Sequence, residues 1–337
     1  MRADVMLWMA GFIVLLMKIG VALGALLLMA AYLVLLERKL LARFQIRYGP
    51  NRVGRFGLLQ PLADGLKVLL KEDTIPAGAD RSIFLFAPSL IMVVSLLLFA
   101  VVPFGADLTF MGQRVPLVVT DLNVGLLYVV ALSSLSIYGI ALGGWASNSK
   151  YSLLGAMRGG AQLISYELAL SLSLVPVVLL ARSLSLVDIV EAQARCPFIL
   201  LQPVSFVLFF IGSMAESSRL PFDLPEAENE LIAGYHTEYS GMRFALYFVG
   251  EYLTMLVVGA LTAVFFLGGW RGPLLPPVVW FLLKMMVVPF LWIWTRATLP
   301  RLRYDQLMHL GWKILLPVSL LNIVVTAGVI LLSGAWK

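Results

Sequence analysis

Eight long apolar segments are the feature of this sequence that most limits its possible folds. They cover approximately residues 12–36, 83–103, 124–142, 161–181, 198–215, 244–268, 276–294 and 314–332. Each has, or comes close to, the roughly 20 apolar residues that cross a bilayer as a helix. The apolar residues form unbroken runs and do not alternate with polar ones, which excludes a transmembrane barrel. The sequence therefore predicts an all-α polytopic membrane protein with about eight transmembrane helices, in which 1–337 is a single integral membrane domain.

Composition agrees with a membrane protein and limits the chemistry that the chain can carry. Charged residues make up 13% of the chain, against about 25% in soluble proteins. The one cysteine, Cys196, cannot supply the roughly four ligands of an iron–sulfur cluster. His236 and His309 both fall in polar connecting segments, so no helix presents a histidine pair to haem. We expect the chain to bind no metal, haem or nucleotide of its own.

The distribution of basic residues predicts the orientation of the chain. Segments 37–82, 143–160, 216–243 and 295–313 carry 17 of the 25 Lys and Arg residues. Because cytoplasmic loops are enriched in Lys and Arg, we predict that these four segments are cytoplasmic and that both termini lie on the non-cytoplasmic side. The net charge of +6 then reflects topology, and it does not indicate a nucleic-acid partner.

The first cytoplasmic loop contains a predicted amphipathic helix. Leucines fill one side of it, and the other side carries a polar stripe at helical spacing, formed by Gln60, Asp64, Lys67 and Lys71. Such a helix lies in the membrane interface. Two interpretations remain open. The helix anchors the loop to the lipid surface, or its polar stripe is one wall of an entrance for an amphipathic ligand dissolved in the membrane.

The third cytoplasmic loop is acidic where a basic loop is expected. Segment 216–243 has six acidic residues against two arginines. Asp223 and Glu226 fit the N-cap and third position of a short helix with Pro225 in its first turn. Glu228 and Glu230 are two residues apart, so a short helix would present them on different surfaces. This concentration favours a binding or proton-handling role over a solvated acidic loop.

Four ionisable residues lie within the predicted spans, namely Lys18, Glu167, Glu251 and Lys284. An ionised side chain at the bilayer centre costs roughly 2.5–3.5 kcal/mol. Lys18 can extend to the outer interface. The other three lie about 12–18 Å from the cytoplasmic ends of their spans, at about 1.5 Å per residue. We predict a buried carboxylate–ammonium cluster that relays protons; the alternative is a purely structural ion pair.

Two further glutamates extend this hypothesis toward the cytoplasm. Glu37 and Glu216 fall at the cytoplasmic ends of the first and fifth predicted spans. They would connect the buried cluster to the acidic loop.

Several motifs, in order, resemble a known family. They are residues 37–39 (Glu-Arg-Lys), 47–54 (Arg-Tyr-Gly-Pro-Asn-Arg-Val-Gly), 59–64 (Leu-Gln-Pro-Leu-Ala-Asp), 221–228 (Pro-Phe-Asp-Leu-Pro-Glu-Ala-Glu), 238–241 (Glu-Tyr-Ser-Gly) and 299–306 (Leu-Pro-Arg-Leu-Arg-Tyr-Asp-Gln). The sequence is similar to the H subunits of bacterial NADH–quinone oxidoreductase, which form the subunit-1 family of mitochondrial complex I. The resemblance covers nearly the whole chain. At Ser217-Ser218 many members have Thr-Asn.

The resemblance implies a place and a task for the chain. It implies a multi-pass subunit of the bacterial inner (plasma) membrane, at the junction with the peripheral arm, that forms most of the quinone channel. The implied channel residues are a charged lining of Arg38, Asp64, Lys67 and Arg301 and an acidic loop of Asp223, Glu226, Glu228 and Glu230. The implied proton relay consists of Glu37, Glu167, Glu216 and Glu251. Lys284 joins this set because of its own position within a predicted span.

The resemblance also implies the partners of the chain. Quinone, for example ubiquinone, is the substrate, while FMN and the iron–sulfur clusters belong to other membrane and peripheral subunits of complex I. We therefore expect no electron-transfer residue in this chain and no complete catalytic activity from it alone. The alternatives are a membrane subunit of a related hydrogenase-type complex, a stand-alone ion-coupled transporter and a passive anchor for peripheral subunits.

Overall fold

Helices build nearly all of the structure, a computed structural model that describes residues 2–106, 108–110 and 113–333. The α-helices are α1 (Arg2–Phe44), α2 (Gln60–Leu70), α3 (Arg81–Leu98), α4 (Gly125–Ala146), α5 (Lys150–Ala181), α6 (Leu186–Ala192), α7 (Phe198–Leu201), α8 (Pro203–Glu216), α9 (Glu228–Leu231), α10 (Gly241–Phe266), α11 (Pro277–Met285), α12 (Val287–Thr298), α13 (Tyr304–His309) and α14 (Leu316–Leu332). A π-helix (Leu310–Leu315) joins α13 to α14. Short 3₁₀ helices span Arg55–Gly57, Phe99–Val101 and Gly234–His236. Strands β1 (Leu108–Phe110) and β2 (Gln113–Val115) form an antiparallel pair.

The described residues contain seven helices that are long and apolar enough to cross a membrane. The predicted class, an all-α polytopic membrane protein, is confirmed. The predicted fifth span, 198–215, is broken at Gln202 into α7 and α8. Gln202 precedes Pro203, and a residue before proline is disfavoured in a helix. The resulting α8 has 14 residues, about 21 Å of helix, which is shorter than the other seven.

The predicted seventh span is also interrupted, but it keeps its length. It divides at Met286 into α11 and α12, which together form one candidate span, Pro277–Thr298. Pro289 has no N–H to give to the Met285 carbonyl four residues earlier. That carbonyl faces Gly259 of α10, where an added Cβ would lie only 2.2 Å from the oxygen. The break therefore coincides with a close approach of the two elements.

Helix α10 is the centre of the bundle. In its most apolar stretch 78% of the residues are buried, against 22% in α1. Helices α4 and α3 approach closely at Gly139, where an added Cβ would lie 2.3 Å from Ile91. An added Cβ at Gly143 would likewise clash with Tyr247 of α10. The Gly20/Gly24 pair of α1 has open space around it. Of these two glycine pairs, the one in α4 mediates close helix packing and the one in α1 does not.

The boundaries of the predicted loops shift where helices extend beyond their apolar cores. Helix α1 continues through Phe44, and only residues 147–149 separate α4 from α5. The predicted loop 143–160 is thus mostly helical. The amphipathic helix of the first loop is confirmed as α2, and none of its residues is buried.

Candidate functional site

A buried ionic cluster forms where α1, α10 and α12 meet the loop that follows α8. Arg219 lies at its centre, with Nη1 3.3 Å from Glu37 Oε1 and Nε 2.7 Å from Glu251 Oε1. Arg296 also pairs with Glu37, and the Arg219 guanidinium lies 4.6 Å from the centroid of the Tyr252 ring. Arg219 and Glu37 are buried and Glu251 is mostly buried, whereas the Arg296 side chain is 39% exposed. The positive and negative charges of the cluster compensate one another, as charges removed from water require.

Helix α5 holds the Arg219 loop in place. The Gln162 amide nitrogen donates to the carbonyl oxygens of Ala215 and Phe222, each over 2.7 Å. The Phe222 ring packs at 5.6 Å from the Tyr166 ring. Because these contacts fix both ends of residues 215–222, the loop presents the Arg219 side chain inward and not to solvent.

The acidic loop after Arg219 does not form the predicted helix cap. Asp223 Oδ2 accepts a hydrogen bond from Arg301 Nη2 over 2.7 Å, and α9 begins only at Glu228 with Ala227 before it. The reason is that the loop folds back on itself. Gly234, with φ +58°, lies so close to the Pro225 carbonyl that an added Cβ would be 1.7 Å from its oxygen, and a helix starting at Asp223 would separate the two.

The carboxylates of the acidic loop point in different directions. Glu230 pairs with Arg158 of α5 over 2.5 Å at the surface, whereas Asp223 pairs inward with Arg301. Burial raises the pKa of Asp223, and the Arg301 charge opposes that shift. The Glu228 side chain lies outside the described part of the structure. The loop therefore divides its acids between a surface ion pair and the interior.

Glu226 and His236 face each other, with Oε1 and Nδ1 3.7 Å apart. Burial raises the pKa of Glu226 well above its usual range, and the charges of Glu251 and Asp223 raise it further. Burial lowers the pKa of His236 to about 4. Both shifts favour the uncharged forms of the two groups. A carboxyl group whose pKa is raised toward the working pH is suited to proton transfer.

A polar cavity lies between α3, α4, α8 and α10, next to the ionic cluster. It offers about 60 Å³ to the centres of water-sized molecules, and one water needs about 10–15 Å³ by that measure. Its polar lining consists of Ser95, Ser133, Ser136, Glu216, Ser217, Ser218, Glu226, Tyr235, Tyr247, Glu251 and Thr254. Three glutamates from separate parts of the sequence thus border one space that has room for several waters.

Glu216 and Glu167 form a second pair of glutamates, both partly buried within the bundle. Each of them contacts a hydroxyl group of α4. Ser134 Oγ donates to Glu167, and the Ser133 hydroxyl bonds Glu216. Glu216 borders the polar cavity, and Glu167 lies near enough to repel its charge. The cavity therefore connects the ionic cluster with this second pair.

Lys284 is not part of either group, so the predicted cluster of Lys284 with Glu167 and Glu251 is wrong. Its Nζ donates to the carbonyl oxygens of Leu267, Gly269 and Arg271, over 2.6, 3.1 and 2.5 Å. These carbonyls follow the end of α10, about 24 Å along the helix from Glu251. Unpaired carbonyls at a helix C-terminus attract a cation, and the long lysine side chain reaches them.

A groove of about 550 Å³ opens between α1, α2 and α10. One wall is polar and includes Arg38, Asp64 and Lys67. Arg38 Nη1 lies 2.6 Å from Asp64 Oδ2. The other wall is apolar and includes Phe244 and Phe248. The polar stripe of α2 therefore faces this groove, as one of the two interpretations of the amphipathic helix predicts.

Sequence reasoning missed the cations and hydroxyls that partner the glutamates. Arg219 interrupts an otherwise acidic stretch, and Ser133, Ser134 and Ser136 stand close together in an apolar span. The isolated arginine and the group of serines are both visible in the sequence, and either could have indicated a partner for a glutamate. The partner of Arg296 could not be predicted, because Glu37 is 259 residues away.

These features define the class of the protein: a polytopic helical membrane protein that carries a series of carboxylates through its interior. The family described as NADH dehydrogenase matches residues 17–327. The chain therefore belongs to the NADH dehydrogenase family.

Curated relatives give the same result at high identity. The second of the H subunits of NADH-quinone oxidoreductase in Syntrophobacter fumaroxidans is 65% identical over 98% of this chain and 97% of the relative. The H subunit of Syntrophotalea carbinolica is 59% identical over 96% and 98%, and that of Thermomicrobium roseum is 55% identical over 91% and 93%. The chain is a membrane subunit of an oxidoreductase complex of this type, and the predicted resemblance is confirmed.

Proposed function

We propose that the chain forms the quinone-binding channel of a proton-translocating NADH-quinone oxidoreductase and couples quinone reduction to proton movement through its buried glutamates. The observation that carries this proposal is the adjacency of the groove between α1, α2 and α10 to the ionic cluster. Arg38 lines the groove, and Glu37 is its neighbour in sequence and part of the cluster. The relatives' names supply the reaction.

The groove fits an amphipathic ligand. A quinone joins a polar ring, which accepts hydrogen bonds, to an apolar tail. Arg38 and Lys67 offer donors on one wall, and Phe244 and Phe248 offer apolar surface on the other. Ligand pockets commonly combine an apolar surface with a few placed polar groups. Arg38, Asp64 and Lys67 would orient the head, and the apolar wall would hold the tail.

The glutamates supply a route for coupling. We infer that protons move between Glu251 and Glu216 across the polar cavity, and between Glu216 and Glu167 beside the α4 serines. Glu37 would sense the groove through Arg219 and Arg296, and Asp223, Glu226, Glu228 and Glu230 would line the side facing the peripheral arm, with Arg301 holding Asp223. Lys284 has no part in this route, because it lies at the other end of α10.

The surroundings of the chain complete the proposal. The chain would sit in the bacterial inner membrane as one integral domain, with segments 37–82, 143–160, 216–243 and 295–313 in the cytoplasm. FMN and iron–sulfur clusters would be carried by partner subunits, and ubiquinone or another quinone would be reduced at the junction with them. The relatives' names favour this assignment over a hydrogenase-type complex or a stand-alone transporter.

Filling the groove tests the quinone channel. Ala245 of α10 lines it, and Ala245→Trp should raise KM for a water-soluble quinone about tenfold while kcat changes little, because binding of the substrate is lost equally in ground and transition states. Val324→Trp, on an exposed face of α14, is the matched control. An unchanged KM in Ala245→Trp membranes contradicts the channel.

Neutralising Glu216 tests the coupling separately. In vesicles, Glu216→Gln should lower the number of protons moved per NADH oxidised, because an amide cannot release a proton. Glu191→Gln, on the exposed side of α6, should leave that ratio unchanged. Full proton translocation by Glu216→Gln vesicles would exclude the relay but not the channel.

A further inference from the structure

An apolar groove runs along the outside of α1, at the end of the molecule away from the ionic cluster. Its volume is about 490 Å³, and its walls come from α1, from Phe104 and residues 116–119, and from α11. Of the described residues that line it, Lys18 alone is charged. Lys18 Nζ donates to the Pro116 carbonyl over 3.1 Å, which places the ammonium group at the rim of the groove.

The part of the groove that lies between Lys18 and its closed end is about as long as one membrane leaflet is deep. Along α1 its lining runs from Val14 to Met29, and the part from Lys18 inward to Met29 spans eleven residues, or about 16 Å. Half of a hydrocarbon core about 30 Å thick is about 15 Å. Beyond Met29 the groove is closed, because Ala30 and Leu33 are buried against the core of the bundle, each 2% exposed or less.

Lys18 and the ionic cluster are separated along α1 by about the thickness of a bilayer's hydrocarbon core. Lys18 is 19 residues from Glu37 along α1, about 29 Å, which is the thickness of the hydrocarbon core. If the ionic cluster lies near one face of the membrane, Lys18 lies near the other. An ammonium group has three hydrogens to donate, and the Pro116 carbonyl accepts one of them.

We propose that this groove binds one acyl chain of an anionic phospholipid, whose phosphate pairs with Lys18. The cation at the rim matches an anionic headgroup, and the apolar walls match an acyl chain that ends at the membrane centre. A transmembrane helix of a partner would need a groove that continues through both leaflets. The site is separate from the quinone groove between α1, α2 and α10, so the proposal does not rest on the proposed function.

Photo-crosslinking in native membranes tests the site. The probe is phosphatidylglycerol with a diazirine halfway along one acyl chain, and the labelled peptides of the full-length chain are mapped by mass spectrometry. We expect label in α1 between residues 21 and 29 and in residues 117–119. Ala25→Phe, which fills the groove, should lower this label at least fivefold, whereas Val324→Phe on exposed α14 should not change it.

A second variant tests the headgroup without filling the groove. Lys18→Gln should lower the preference for the phosphatidylglycerol probe over the matching phosphatidylcholine probe about fivefold. That factor corresponds to the attraction between one lysine and an anionic lipid surface. Equal labelling by the two probes in the wild-type chain contradicts the anionic headgroup. Label that persists in Ala25→Phe, or a photoreactive residue at position 21 that captures another protein instead of lipid, overturns the lipid site.

Discussion

The two pairs of glutamates differ in what surrounds them. Glu37 and Glu251 share the guanidinium groups of Arg219 and Arg296. Glu167 and Glu216 lie beside serine hydroxyls of α4. Both pairs are glutamates at helix positions within the same bundle. The difference in partners therefore indicates a difference in task.

Guanidinium groups hold the first pair in an ionic cluster, while serine hydroxyls can bond the second pair in either protonation state. An arginine keeps its charge at any physiological pH. Glu37 and Glu251 therefore belong to an ionic cluster, and removing one member of the cluster leaves an uncompensated charge. A serine hydroxyl can donate to a carboxylate or accept from a carboxylic acid. The second pair can therefore gain or lose a proton while its hydrogen bonds are kept.

Removing the central cation should break the first pair and give the largest effect. Arg219→Met leaves Glu251 without its cation, and breaking a buried pair by removing one partner costs about 3–5 kcal/mol. We expect most of the chain to be lost from membranes, as measured by quantitative immunoblot and native gel. Arg158→Met, which removes the cation of the exposed pair with Glu230, should change the amount little. Equal amounts of the two variants in membranes would contradict the claim that Arg219 is needed to compensate a buried charge.

Neutralising the orphaned carboxyl should restore part of the loss. Glu37 keeps Arg296 when Arg219 is removed, so Glu251 is the group left without a cation. The double variant Arg219→Met, Glu251→Gln should recover about 2 kcal/mol relative to Arg219→Met, within the range of coupling between contacting residues. The same immunoblot measures it. No recovery would mean that Arg219 acts through packing on Tyr252 and not through charge.

Removing the hydroxyls should impair the second pair without unfolding the chain. In the double variant Ser133→Ala, Ser134→Ala, Glu216 and Glu167 each lose a hydrogen bond worth about 1 kcal/mol. We expect the rate of proton uptake by vesicles to fall about tenfold while the amount of the chain stays normal. Ser333→Ala, at the end of α14 outside both pairs, is the control. Normal proton uptake would exclude the serines from the relay.

The sequence predicted the membrane class, the amphipathic helix and most of the carboxylates, because each depends on local composition or spacing. Long apolar runs identify helices, and the stripe from Gln60 to Lys71 identifies α2. The partners could not be predicted in the same way. Distance from the cytoplasmic end of its span predicted that Lys284 lies near Glu251. Its side chain instead turns toward carbonyl groups that are left unpaired at the end of α10. The cap at Asp223 failed because the loop folds back until Gly234 meets the Pro225 carbonyl, and the Asp223 side chain binds Arg301, 78 residues away, instead.

The contact between Glu226 and His236 lies at the cavity that joins the two pairs, and we expect its effect to be the smallest. The usual histidine pKa is 6.5, and burial lowers that of His236 to about 4. In the unfolded chain the histidine therefore binds a proton below about pH 6.5, whereas in the folded chain it binds one only below about pH 4. Its contribution to stability is present above pH 6.5 and is lost as the pH falls toward 4.

Replacing His236 should make the protein less sensitive to acid. Thermal unfolding of the purified complex, compared at about pH 7.5 and pH 5, should show a fall in Tm that is about 2 °C smaller in His236→Gln than in wild type. His309→Gln, which removes an exposed histidine of α13, should keep the wild-type fall. If His236→Gln shows the wild-type fall too, burial does not lower the pKa of His236, and the imidazole beside Glu226 takes up a proton as readily in the folded as in the unfolded chain.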